Sequence, residues 1–319
     1  MEMFKLIPSV ADYIWGGRRL IEEYGIKTDK DPAAEAWVLS CHSAGPSTVE
    51  DGEFKDQTLE QVWENHKEIC GTNGNKFEFF PILIKFIDAK NNLSIQVHPD
   101  NDYAMRVEGE YGKTEAWYIL DCDEGAELIL GFNREVSVEE FKKAAQSEEM
   151  LNIVNKVKVK KGDLFFIESG TLHAICKGIL LAEVQQNSNT TYRVYDYGRV
   201  GADGKPRALH IDKAADVTKL CPPTITNASE REVEKQDGGT RTHLTECDLF
   251  KMYSVETDGE YVSEAGDESF VSLLCLDGSA EVVCGKKTLG MKKGESLFIP
   301  ASSGEFKIIG KTHMLETRI

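Results

Sequence analysis

The sequence predicts a mainly β protein built from two related β-barrels with a few helices. Three observations carry that prediction. Short runs rich in Ile, Leu, Val and aromatic residues, most of them bounded by turn residues, recur from about Phe79 onward, whereas helical patterns are sparse. The segment Lys160-Lys161-Gly162-Asp163-Leu164-Phe165-Phe166-Ile167-Glu168-Ser169 resembles Lys292-Lys293-Gly294-Glu295-Ser296-Leu297-Phe298-Ile299-Pro300-Ala301, each a Lys-Gly-acid turn feeding an alternating strand. The chain has 319 residues, beyond the size at which a single hydrophobic core usually stops growing.

Taken in chain order, Met1 to Pro8 lacks the basic start, apolar middle and small-residue cleavage site of a signal peptide, so a cytoplasmic location is expected. Thr58 to His66 reads as a helix. Ile82 to Ile87, Trp117 to Leu120, Glu127 to Leu130, Asp163 to Ile167 and Leu180 to Val184 read as strands. Ser137 to Glu149 reads as a second helix, opened by a Ser137/Glu140 capping-box spacing. Pro222 to Gly239, polar and rich in turn residues, reads as a linker. The expected organisation is a metal-binding catalytic domain over 1–221 with N-terminal strands and helices, a linker or loop over 222–239, and a smaller β domain over 240–319.

Composition narrows the function. With 41% hydrophobic and 29% charged residues the chain is an ordinary globular protein, not a disordered one. No apolar run approaches the roughly 18 residues that span a bilayer, so no membrane partner is expected. A net charge of −17 argues against nucleic acid as the main partner, and means that an anionic substrate would need a local cluster of Lys and Arg. Eight scattered cysteines with no CxxC pair read as reduced, mostly buried thiols.

Three segments concentrate metal-competent side chains. In Ser94-Ile95-Gln96-Val97-His98-Pro99-Asp100, Ser94, Gln96 and His98 share one face of a strand. In Gly112-Lys113-Thr114-Glu115-Ala116-Trp117-Tyr118, Lys113 and Glu115 share a face, which a plain cross-strand ion pair would also explain. His173 follows the Gly170 turn and, alone, is as readily a hydrogen-bonded core residue as a ligand. Together Gln96, His98, Glu115 and His173 make a borderline N/O set suited to zinc, one ion per chain, with positions left for water or substrate. The second repeat copy continues Ser302-Ser303-Gly304-Glu305 and offers no histidine, so the second barrel is expected to lack the metal.

These segments resemble the type I mannose-6-phosphate isomerase family in its short bacterial form. The matching motifs are Gln96 to Asp100, Gly112 to Tyr118, Gly170 to Ile175 and, most specifically, Glu183 to Arg199; Trp15-Gly16-Gly17, Glu35-Ala36-Trp37 and Gly45-Pro46-Ser47 are similar too. Glu168-Ser169 stands where the family commonly has Pro-Ala, Tyr197 where it has Trp, and the helical insertion of longer members is absent. The resemblance implies two cupin-type (jelly-roll) barrels. It also implies zinc on Gln96, His98, Glu115 and His173, a catalytic Arg193, and interconversion of mannose 6-phosphate and fructose 6-phosphate over the metal.

That chemistry moves a proton between C1 and C2 through a cis-enediol. Arg193 would orient substrate and stabilise the enediolate, unless it is only an ion-pair partner of Asp196 or Glu183. The base is open between Glu183, raised in pKa by burial, Lys113, and metal-bound water. Ser94, Arg199 and Lys85 are the phosphate contacts expected. A sugar phosphate is the expected partner, for a monomer or homodimer. Competing readings are another phosphosugar isomerase of the same fold, or a non-catalytic sugar-phosphate sensor.

Overall fold

Strand pairing is antiparallel and organises the chain into three sheets. The computed structural model describes residues 1–201, 204–223 and 231–319. Each expected strand is present, some longer than expected: Ile82–Ala89, Glu115–Cys122, Glu127–Phe132, Leu164–Ile167 and Ile179–Gln186.

Two sheets, of six and five strands, hold the first half of the chain. The six-stranded sheet runs Leu164–Ile167, Glu115–Cys122, Ile179–Gln186, Ile82–Ala89, Glu35–Leu39, Ser9–Ala11. The five-stranded sheet runs Tyr192–Tyr195, Ile95–Val97, His173–Ile175, Glu127–Phe132, Val154–Lys158. The central strand Ile179–Gln186 is buried on both faces. Its even-numbered residues Leu180, Ala182 and Val184 enter the main core, which reaches Phe250, Phe270 and Phe298 of the C-terminal half. Glu183 and Gln185 point to the opposite face, because side chains alternate along a strand.

The third sheet has nine strands, drawn mostly from residues 233–318. The two repeat copies fold alike. Lys160 N–H donates to Asp163 Oδ2 at 2.9 Å and Lys292 N–H to Glu295 Oε2 at 3.0 Å, around Gly162 and Gly294, which both take positive φ. Each turn then feeds a strand, Leu164–Ile167 or Ser296–Ile299.

Four expectations need correcting. Two closed barrels are not seen: none of the three sheets closes on itself by pairing among the described residues. The N-terminal strand Phe4–Ile7 belongs to the nine-stranded sheet, between Ser296–Ile299 and Thr48–Val49, and not to the 1–221 unit. The 222–239 linker is interrupted by the strand Val233–Gln236. It forms a hairpin with Gly239–Glu246 over Asp237-Gly238, a pair suited to a two-residue turn; residues 224–230 of that segment lie outside the described residues. The helix expected over 137–149 stops at Ala144. Ser137 caps it through Glu140 N–H, but the Glu140 carboxylate turns to Arg134 instead of closing the box, whereas Thr58 and Gln61 form the full reciprocal cap.

Of the cysteines, Cys41, Cys70 and Cys275 are buried, Cys221 is exposed and the other four are intermediate; all are free thiols. Among the described residues no helix is long and apolar enough to cross a membrane.

Candidate active site

The site lies where the six- and five-stranded sheets face each other. Register explains its composition. On the six-stranded sheet Glu183 stands opposite Lys85 on one side and Trp117 on the other, and Lys85 stands opposite Trp37. On the five-stranded sheet Gln96 stands opposite both His173 and Arg193. The Gly170 turn delivers His173: Gly170 has φ +82° and its N–H donates to the His98 carbonyl at 2.8 Å, tying the two histidine segments together.

Three side chains converge in the interior. Glu115 Oε1 is 3.3 Å from His173 Nε2, Glu115 Oε2 is 3.7 Å from His98 Nε2, and the ligand-competent atoms lie within 4.8 Å of one another. All three side chains are buried. His98 Nδ1 faces the Thr190 carbonyl and His173 Nδ1 the Thr171 carbonyl, each at 2.8 Å. A carbonyl only accepts, so each Nδ1 carries the proton and each Nε2 presents a lone pair inward.

These residues fit a divalent metal. Both Nε2 atoms and Glu115 Oε1 are buried without a hydrogen-bond partner, a costly arrangement that a cation would relieve, whereas Glu115 Oε2 faces Lys113 Nζ at 2.8 Å. Burial, with Lys113 and His173 adding to it, drives the His98 pKa well below 6.5, and burial drives that of His173 to about 4, so both imidazoles are neutral as ligands must be. Burial and the Glu183 charge raise the Glu115 pKa against the opposing pull of Lys113 and Lys85. Gln96, the fourth expected ligand, is half-buried, lines the adjoining cavity and accepts from Ser94 Oγ at 3.4 Å.

From Glu115 a ladder of alternating charges crosses the sheet. Lys113 Nζ is 2.8 Å from Glu115 Oε2 and 3.2 Å from Glu183 Oε1; Lys85 Nζ is 3.3 Å from Glu183 Oε1 and 3.2 Å from Glu35 Oε2. Trp117 Nε1–H and Trp37 Nε1–H donate to Glu183 and Glu35, each at 2.7 Å. This reverses the expectation for Glu183. Burial alone would raise its pKa, but Lys113 and Lys85 outweigh burial and hold it low.

The ladder opens on a cavity of about 260 Å³ lined by Lys85, Lys113, Arg193 and Arg207, with Glu35 and Glu183 as the only carboxylates among the described residues. Local charge is therefore positive in a chain of net charge −17. Ser94, Asn189 and Thr191 add neutral polar groups, and Tyr13 and Trp15 add aromatic walls. Trp15 reaches the wall because Gly16 and Gly17 let the backbone pass close to Ala34 and Asp88; a Cβ on Gly17 would lie 2.2 Å from Asp88 Oδ2.

The structure brings together Ser94, Gln96, His98, Lys113, Glu115, His173, Glu183, Arg193 and Lys85, but not Arg199. Arg199 turns to Asp196 and to the Asn92 carbonyl and does not line the cavity. Lys85 lines it, yet its ammonium is engaged by Glu35 and Glu183. Arg207 lines the cavity where Arg199 does not. It is held by Asp196 through Nε and Nη2 at 2.7 and 2.6 Å. No periodicity marks the loop that carries Arg207, so no pattern in the sequence singles it out.

Comparison with known proteins agrees with the geometry. A family model described as the type I phosphomannose isomerase catalytic domain matches residues 3–132, and one described as the mannose-6-phosphate isomerase cupin domain matches residues 240–318. Mannose-6-phosphate isomerase ManA of Bacillus subtilis is 38% identical over 305 residues, spanning 95% of this chain and 94% of its own. The mannose-6-phosphate isomerase of Streptococcus mutans is 37% identical, spanning 95% and 93%. The crystal structure of the mannose 6-phosphate isomerase from Bacillus subtilis matches over the full length of both chains, with a TM-score of 0.92 at 37% identity.

Proposed function

The chain belongs to the type I phosphomannose isomerase family and is an enzyme of that kind, and we propose that it interconverts D-mannose 6-phosphate and D-fructose 6-phosphate through a cis-enediol, with one zinc ion per chain. The observation that carries this reading is the convergence of two orphaned imidazole nitrogens and a buried carboxylate beside a cavity lined by four cations.

His98, Glu115 and His173, with Gln96 on the cavity side, would hold the metal, which when bound supplies a Lewis acid for the oxygen that gains charge. Lys113 and Glu183 are the acid–base pair: both line the cavity and they touch at 3.2 Å, so a proton can pass between them at that contact. Arg193 donates to the Ala208 carbonyl through Nη1 while its buried Nε has no partner, leaving donors for the substrate's developing oxyanion. Burial and the Arg207 charge push its pKa down, but a guanidinium stays protonated at neutral pH. Arg207 and Ser94 are assigned to the phosphate. The paired six- and five-stranded sheets are read as the catalytic jelly roll, and the nine-stranded sheet as its partner without a metal.

A coupled assay of mannose 6-phosphate conversion, before and after chelation and with zinc added back, tests this. Turnover lost on chelation and restored by zinc is expected. A folded, zinc-loaded sample that turns over no mannose 6-phosphate would remove the proposal.

A further inference from the structure

Residues 187–191 run between the strands Ile179–Gln186 and Tyr192–Tyr195 with no strand pairing of their own, yet they supply three things to the site. Asn189 and Thr191 line the cavity, and the Thr190 carbonyl accepts from His98 Nδ1. Backbone hydrogen bonds fix its start, from Asn187 N–H to the Pro81 carbonyl at 3.0 Å and from Ser188 N–H to the Gln186 carbonyl at 2.8 Å, and side chains hold it further along. Gln185 Nε2 donates to the carbonyls of Gln186 and Ser188, both at 2.7 Å, and Thr190 N–H donates to Ser188 Oγ at 3.2 Å.

The remaining hold comes from across the site. Thr190 Oγ1–H donates to Glu110 Oε1, and His42 Nε2 lies 3.1 Å from Glu110 Oε2. His42 Nδ1 accepts from Ala44 N–H at 3.1 Å, so the neutral ring carries its proton on Nε2 and donates it to Glu110. Two residues away on each side of the contact, Tyr192 Oη–H donates to Glu108 Oε1 at 2.8 Å, and Lys213 Nζ donates to the same oxygen at 2.6 Å. Glu108 and Glu110 thus clasp Tyr192 and Thr190, and the segment that clasps leads directly into Lys113 and Glu115.

We propose that Glu110 is a positioning residue for the metal site: seated on His42, it fixes Thr190 so that the Thr190 carbonyl holds the His98 ring with Nε2 turned to the metal. This rests on the reading of His98 as a ligand. Carboxylate and carbonyl partners of ligating histidines set tautomer and ring orientation, and their loss typically costs about 10- to 100-fold in metal affinity. The arrangement here is one step longer, with the carboxylate acting through the residue that bears the carbonyl. Glu110 is held in the ionised form that this role requires. Burial pushes its pKa up, but His42 and Thr190 outweigh burial and hold it below the usual carboxylate value.

The test is zinc affinity by chelator competition on folded protein, with circular dichroism as the check on fold. Thr190→Val keeps shape and removes the hydroxyl; Thr190→Ser restores it; Glu110→Gln removes one of the two acceptors. Thr190→Val and Glu110→Gln are each expected to weaken zinc binding about tenfold or more, Thr190→Ser to bind as the parent, and the double variant to lose little beyond the larger single loss. His98→Ala separates the two layers of the argument. If it loses zinc while Thr190→Val binds as the parent, Glu110 does not position the ligand. If His98→Ala itself binds as the parent, the ligand reading fails and the positioning role with it.

Discussion

Lys113 Nζ lies 2.8 Å from Glu115 Oε2, and both side chains are almost fully shielded from solvent. A carboxylate placed to hold a metal therefore already has a cation beside it, and that cation is shared with Glu183. Removing one partner of a buried pair leaves the other charge uncompensated, at a cost of about 3–5 kcal/mol. Lys113→Met should lose stability on that scale in chelated protein and regain much of it with zinc, because the ion then compensates Glu115. Its kcat should fall at least ~100-fold if Lys113 also moves the proton. Urea unfolding with and without zinc checks the first part, and unchanged stability in chelator would refute it.

Arg207 and Arg199 both bind Asp196, but only Arg207 lines the cavity. Arg207→Ala should raise KM for the sugar phosphate roughly tenfold or more, as expected for losing a charge-assisted phosphate contact worth about 1.5–3 kcal/mol. Arg199→Ala should leave KM within about threefold, since Arg199 does not line the cavity and Arg207 keeps its own two bonds to Asp196. Steady-state kinetics of the two variants decide it; the opposite ranking would return the phosphate to Arg199.

How much of this was legible follows the range of each signal. Period-two alternation put Ser94, Gln96 and His98, and Lys113 with Glu115, on common faces; Ser94, Gln96 and Lys113 line the cavity, and Lys113 touches Glu115 in the interior. The Lys-Gly-acid repeat foretold two like turns, each feeding a strand, and the structure adds that the acid side chain caps each turn. Burial of Glu183 was readable from its apolar strand, but not the sign of its shift, because Lys85 sits opposite it only once register is set. Glu35, on a fully buried strand of five residues, and Arg207, in an irregular loop, carry no periodic mark at all. The partner of Phe4 lies nearly 300 residues along the chain, and no local pattern encodes that pairing.

Asp196 gives a pH dependence with a defined sign. Burial raises its pKa, but hydrogen bonds from Arg207 and Arg199 outweigh burial and hold it below 3.8. A folded pKa below the unfolded one, about 3.9, gives stability that is complete above the unfolded value and lost as pH falls through the folded value. Asp196→Asn should therefore melt below the parent at pH 7, and the gap should narrow as pH drops below about 4. Thermal unfolding of both proteins between pH 7 and 3.5 measures the gap; one that stays constant across that range would show that the charge of Asp196 contributes nothing.

The N-terminal strand Phe4–Ile7 pairs with Ser296–Ile299 of the C-terminal half. Phe4 is buried beneath the C-terminal sheet, its ring stacked 5.3 Å from Phe298 and edge-on to Phe54 at 6.2 Å, while Phe298 stacks on Phe270 at 4.8 Å. Deleting a buried phenyl group costs about 3–5 kcal/mol through lost transfer energy and the cavity left behind. Phe4→Ala should lose that much by urea unfolding with an unchanged m-value, and should keep parental zinc affinity while folded, because Phe4 lies in the main core and not at the metal-competent cluster. The same contact implies that residues 1–221 alone would expose Phe4, Leu6 and an unpaired strand edge where Ser296–Ile299 now pairs, a surface prone to aggregation. If the 1–221 fragment were soluble, cooperative in unfolding and able to bind zinc, the N-terminal strand would be an ornament of the C-terminal sheet and not a structural tie between the halves.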